Sequence, residues 1–230
     1  MKSKKRFYFS LNNVCNVNCE FCAMFSGTNK STYLDFNRYK EILDENNDFF
    51  ELQLEGGEPL VNQNFYLFME YAKYTKKCNK IIISTNGILL KQHIQRITDF
   101  IAFSKIPIHI KMSINYSLIE DYKRLNKNIF KYARDMYLAT EFIENFKLSF
   151  NVRLRSDNED KLLLEELKKN KIYELSNIYE LQKYGRLEND DSYEEPFINQ
   201  NIDDFYLFSS DGINFEQDLI ARSKHEKQLK

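Results

Sequence analysis

Three cysteines stand within eight residues, Cys15, Cys19 and Cys22, spaced C-x3-C-x2-C, with Phe21 immediately before the last thiol. Thiolates this close on one short segment can hold three corners of a [4Fe-4S] cubane, whereas a closed cluster takes four cysteines. A three-cysteine site therefore either recruits a remote ligand or leaves one iron open to bind substrate. Structural zinc is the main rival, but it wants four N or S ligands, usually as paired half-sites. The remaining candidates, Cys78, His93, His109 and His225, are isolated from one another. A redox pair of Cys19 and Cys22 leaves Cys15 without a role. Chance is a poor account of three crowded thiols in a chain with four cysteines. The residues favour the open cluster.

Other polar motifs punctuate the chain. Gly56-Gly57-Glu58-Pro59 and Ser84-Thr85-Asn86-Gly87 each close an apolar run. Two glycines let backbone approach a ligand where a Cβ would clash, although taken alone such a turn is an ordinary loop about as often as a site. Ser113 and Asn115 are two apart on a predicted strand and face one side, as do Arg153 and Arg155. An inward arginine can pair with a carboxylate; the competing reading is a solvated or structural arginine. Ser84 and Asn86 read equally as a capped turn, and Cys78 as a half-buried structural thiol. The histidines carry no assigned role, and no residue is singled out as a catalytic acid, base or second hydrogen donor.

The elements that position these motifs alternate in period. Strand patterns cover 6–11, 50–55, 80–84, 108–114, 147–154 and about 173–181, with helical patterns over 36–46, 64–77, 89–103, 117–145 and 159–170. Six βα units imply a parallel sheet, two short of an eight-stranded barrel. The expected fold is α/β over 5–186: an open, partial (β/α)6 TIM-like barrel or a doubly wound sheet. A short carboxy-terminal extension follows over 187–230, with an acidic, Asn-rich loop at 188–204, a hairpin through Asp211-Gly212 and a terminal helix over 216–229. Ligands bind at the carboxyl ends of such strands, where the motifs fall.

The chain has 230 residues and a formal net charge of −1, with 43% hydrophobic and 29% charged residues. These values suit a soluble globular protein and disfavour a nucleic-acid partner. No apolar run spans a bilayer and the basic amino terminus does not continue as a signal peptide. Crowded thiols without a disulfide framework point to a reducing compartment, the cytoplasm.

Taken in order, Cys15-x3-Cys19-x-Phe21-Cys22, Gly56-Gly57-Glu58-Pro59, Ser84-Thr85-Asn86-Gly87, Ser113-Ile114-Asn115, Phe150-Asn151-Val152-Arg153 and Tyr184-Gly185-Arg186 resemble a radical S-adenosylmethionine (SAM) enzyme. The likeness covers about residues 5–186 and is nearest the subgroup with molybdopterin-biosynthesis and peptide-modifying members. It implies a partial (β/α)6 barrel with one [4Fe-4S] cluster on Cys15, Cys19 and Cys22 and SAM chelating the open iron. Reductive cleavage would give a 5′-deoxyadenosyl radical that abstracts a substrate hydrogen. By the same resemblance, Phe21 packs beside the cluster and adenine, and Gly56, Gly57 and Glu58 bind the methionyl group, Glu58 accepting from its ammonium. Ser113 and Asn115 contact polar groups of the cofactor, although many relatives carry Asp where Asn115 stands. Arg153 meets the methionyl carboxylate, and Arg186 is a candidate contact.

A ribosomally made peptide is the first substrate expectation, with a small nucleotide-derived, pterin-like or sugar metabolite as alternative, and flavodoxin or ferredoxin as electron donor. No cysteine follows Cys78, so the auxiliary clusters of peptide-modifying relatives lack ligands here. The early cysteine motif suggests that no leader-binding domain precedes it. From a different class, a non-catalytic metal-binding module stays open on the residues alone.

Overall fold

The computed structural model describes residues 5–196 and 204–229. Seven strands form one parallel sheet in the order β6-β5-β4-β3-β2-β1-β7, curled into a half-barrel. They are β1 (Lys5–Ser10), β2 (Phe50–Glu55), β3 (Cys78–Thr85), β4 (Ile108–Ile114), β5 (Phe146–Leu154), β6 (Ser176–Glu180) and β7 (Asp204–Phe208). Seven helices follow the strands: α1 (Phe36–Glu45), α2 (Phe65–Tyr74), α3 (Leu90–Ser104), α4 (Tyr116–Arg124), α5 (Ile129–Thr140), α6 (Asp160–Lys169) and α7 (Leu219–Gln228).

The two faces of the sheet differ in kind. Alternate residues point outward, and Phe9, Leu52, Leu54, Ile81, Ile83, Ile110, Met112, Phe150 and Val152 are sealed under the helices. Tyr39, Phe65, Phe68, Ile97, Tyr122, Ala133 and Leu167 supply the helical half of that core. The intervening residues face the lumen and are largely polar. Register places Arg6 beside Glu51, Tyr8 beside Gln53, Ser84 beside Lys111, and Ser113 beside Asn151. A layer of polar side chains therefore lines the concave side, where an ordinary parallel sheet is apolar on both faces.

Three expectations need correction. The helical pattern over 117–145 is two helices, because Asn126 takes a left-handed φ of 54° and Asn128 caps α5 by accepting from the Lys131 amide. The segment from residue 173 opens with a 3-10 turn, Tyr173–Leu175, before β6 begins. The hairpin over 205–215 is only part of the arrangement: β7 also takes a ladder from β1, in parallel, along five residue pairs. Its return is a short antiparallel arm, with a bridge from Phe208 to Asn214, Phe215 N donating to Leu207 O at 2.9 Å and Leu207 N to Glu216 O at 2.8 Å. The free edge of β1 offers a full ladder, and Phe208 stacks on Phe9 at 4.5 Å. The sheet thus runs across the boundary near residue 186. Part of the acidic loop, residues 197–203, lies outside the described residues.

Candidate functional site

The loop after β1 carries the cysteines and is stitched to its surroundings backbone to backbone. Cys15 N donates to Gly27 O at 3.2 Å, and Gly27 N to Asn13 O at 3.3 Å. The turn after β2 rises beneath it: Gly57 N donates to Asn12 O at 2.8 Å, and Glu58 N to Val14 O at 2.9 Å. A Cβ on Gly57 would stand 2.0 Å from Val14 O, and Gly56, at φ +119°, would place one 2.4 Å from Asn12 O. The glycines here let two loops touch. From the far end of the barrel, Gly185 (φ +66°) lies against Ala23. Arg186 then clamps the loop, donating to Cys19 O at 2.5 Å and Ser26 O at 2.6 Å.

One cavity of about 350 Å³ opens at the carboxyl ends of the strands. Cys15, Cys19, Cys22, Phe21, Gly56, Gly57, Ser113, Asn115 and Arg153 all line it, whereas Glu58, Arg155 and Arg186 stand outside its lining. Asn115 uses its Oδ1 to cap α4 at Leu118 N, 2.9 Å away. Arg153 lies over the Tyr179 ring at 4.4 Å. Arg155 parts from Arg153: it sits beyond the end of β5, where strand alternation no longer applies, and bonds Glu20 while covering Tyr116.

Glu58 lies behind the cavity wall. Its carboxyl is fully buried and accepts from Leu60 N (3.1 Å), Thr85 Oγ1 (2.8 Å) and Asn86 N (2.7 Å). Burial pushes it up to about 7, against hydrogen bonds that favour the charged form. The expected role as acceptor from an ammonium is therefore replaced by that of a brace between the β2 and β3 turns. Asn86, so held, donates to Asn16 Oδ1 at 2.7 Å and reaches Cys15 Sγ at 3.8 Å.

The surroundings of two of the thiols disfavour the free thiolate. Burial pushes Cys15 and Cys19 up to about 12, and the neighbouring thiolates push the same way. A cationic centre beside them would allow Cys15 and Cys19 to ionise. Among the described residues, no three His, Cys, Asp or Glu side chains converge as the shell of one metal ion.

Some residues of the cavity escaped the sequence reading. Tyr8, Gln53 and Glu55 line it from β1 and β2, and Arg222 reaches it from α7. Glu55 accepts from Arg222 Nη2 at 2.8 Å and from Gln53 Nε2 at 2.8 Å. Alternation in Glu51-Leu52-Gln53-Leu54-Glu55 was a usable signal for the strand residues. Nothing in the charged helix around Arg222 singles it out.

The sequence pattern of the Radical SAM superfamily matches residues 9–140. Over 94 residues the chain is 34% identical to a GTP 3′,8-cyclase of Synechocystis, an alignment covering 39% of this chain and 28% of that enzyme. An uncharacterized protein of Methanocaldococcus jannaschii is 26% identical over 173 residues, covering 72% of this chain and 57% of that protein. The chain thus spans less than two thirds of these curated relatives. Among solved structures, anSMEcpe with bound AdoMet superposes with a TM-score of 0.57 at 15% identity, covering 86% of this chain and 55% of that one. Streptococcus suis SuiB bound to precursor peptide SuiA gives 0.53 at 17% identity, covering 80% and 40%.

Proposed function

The chain belongs to the radical SAM superfamily and is an enzyme that works with a [4Fe-4S] cluster and SAM; we propose that it abstracts hydrogen from a ribosomally made peptide. When bound, these groups supply an electron and a sulfonium whose cleavage yields the hydrogen-abstracting radical. The observation that carries the reading is the meeting of Cys15, Cys19 and Cys22 with the Gly56-Gly57 turn in a single cavity at the strand ends. Cys15, Cys19 and Cys22 hold the cluster. The Gly56-Gly57 backbone, Ser113, Asn115 and Arg153 orient SAM, and Phe21 keeps water from the reducing centre. Glu58 fixes the turn on which this arrangement rests.

Support for a peptide comes from the fold shared with SuiB, solved with its precursor peptide, and with anSMEcpe. A small nucleotide-derived, pterin-like or sugar metabolite is the second reading, favoured by the likeness to GTP 3′,8-cyclases over 94 residues. A cytoplasmic location and a flavodoxin or ferredoxin donor complete the proposal. No described helix is long and apolar enough to cross a membrane.

Anaerobic reconstitution tests it. About four irons, absorption near ~400 nm and dithionite-dependent 5′-deoxyadenosine are expected, and Cys19→Ala should lose all three while staying folded. A modified peptide encoded beside the gene would establish the substrate. Turnover of a nucleotide-derived compound, with every such peptide inert, would replace it; retained cleavage in Cys19→Ala would overturn the cluster assignment.

A further inference from the structure

Below the cavity the lumen carries more positive charge than it neutralises. Arg6 is paired with Glu51, and Arg222 with Glu55. Lys111 is different. It faces the lumen from β4, in register with Ser84 and Ser149 and two residues before the cavity-lining Ser113. Among the described residues it forms neither a hydrogen bond nor an ion pair. Partial burial and the nearby Arg6 push its ammonium down to about 8, even though Glu55 and Glu51 act the other way. An ammonium kept from water without a carboxylate in contact is costly, and lysine is suited to a point contact with an anion.

Arg222 repeats the anomaly from the opposite element. It is 3% exposed; Nη2 bonds Glu55, while Nε and Nη1 are buried without partners. Unpaired buried donors of this kind call for an explanation such as a ligand or a catalytic role. Glu55, the carboxylate that Arg222 pairs with, lines the cavity and also acts on Lys111 through its charge.

We propose that the lumen beneath the cavity is an oxyanion subsite, in which Lys111 and the unpaired edge of Arg222 take a carboxylate or phosphate carried by the substrate. This rests on the reading that the cavity above holds the cluster and SAM. It adds that the part of the substrate entering the barrel is anionic: an acidic side chain if the substrate is a peptide, a phosphate if it is a metabolite.

The test uses the reconstituted, SAM-saturated enzyme with three probes at equal ionic strength: inorganic phosphate, succinate and chloride. Acylation of each lysine by acetic anhydride is followed by mass spectrometry. Phosphate or succinate should slow acylation of Lys111 about tenfold or more relative to chloride, the size of one charge-assisted hydrogen bond. The exposed Lys147 should not respond. By calorimetry, Lys111→Gln should weaken binding of the effective anion by a similar factor, and Lys111→Arg should retain it. Preference for succinate identifies a carboxylate, and preference for phosphate a phosphoryl group. Equal acylation in all three salts, anion binding indifferent to Lys111→Gln, or protection of Lys111 by SAM alone would each overturn the subsite. Deoxyadenosine release is measured on the same preparation. Cleavage without anion protection removes only this inference; protection without cleavage removes only the functional reading.

Discussion

Replacing Gly57 by alanine adds one methyl group at the point where the β2 turn touches the cysteine loop. The new Cβ would lie 2.0 Å from Val14 O and 2.6 Å from Val14 C, whereas real Cβ contacts essentially never fall below 3.0 Å. One of the two loops must therefore retreat by about 1 Å. Both are backbone, so no side-chain rotation relieves the clash. The retreat strains two hydrogen bonds, Gly57 N to Asn12 O and Glu58 N to Val14 O, each worth ~1 kcal/mol net. Overpacking adds ~1–3 kcal/mol, for a loss of about 3–5 kcal/mol. Because Val14 adjoins Cys15, the displacement passes directly to the first thiol. Urea unfolding of the metal-free protein should register the stability loss. Iron content after anaerobic reconstitution should fall well below that of the parent. A Gly57→Ala protein with parental stability and full iron would refute the claim that this glycine exists to bring the two loops together.

Arg186→Ala removes the donors to Cys19 O and Ser26 O; each charge-assisted bond is worth ~1.5–3 kcal/mol, so iron retention under chelator challenge should drop sharply while far-UV circular dichroism is unchanged. Glu58→Gln turns an amide donor toward groups that themselves donate, Thr85 Oγ1 and Asn86 N among them. A loss of ~1–3 kcal/mol in urea unfolding is expected, and an unchanged midpoint would contradict the brace. His109, bonded to Ser149 Oγ at 2.7 Å, is pushed down from 6.5 to about 3, chiefly by burial and then by Lys111 and other cations. Its folded form resists the proton that the unfolded chain accepts, so its contribution is present above pH 6.5 and is lost as pH falls toward 3. Glu58 has the opposite sign: its contribution is present below pH 4.5 and is lost as pH rises through about 7. The difference between parent and His109→Gln is therefore the quantity to follow. Between pH 7 and 4 the urea midpoint of the parent should fall more steeply, and parallel curves would refute the assignment.

Local patterns and distant partnerships contributed differently to what could be known in advance. The spacing of Cys15, Cys19 and Cys22 was legible because the ligands of one centre sit on one short loop. The strands and helices were legible because burial of one face imprints a period on consecutive residues. From these two facts a parallel sheet with the site at its strand ends followed, and the resemblance in the order of the motifs pointed to the half-barrel. What a polar side chain bonds is another matter when its partner is remote. Arg186 reaches Cys19 across 167 positions. Glu58 is consumed by Thr85 and Asn86, 27 and 28 positions on. The edge of β1 selects β7 after nearly the whole chain has been laid down. Arg222 acquires Glu55 and the cavity only because that added strand carries α7 over the cysteine loop. Periodicity is a property of neighbours in the chain, and it decides which face is buried. Pairing is a property of neighbours in space, and only closure of the barrel decides it.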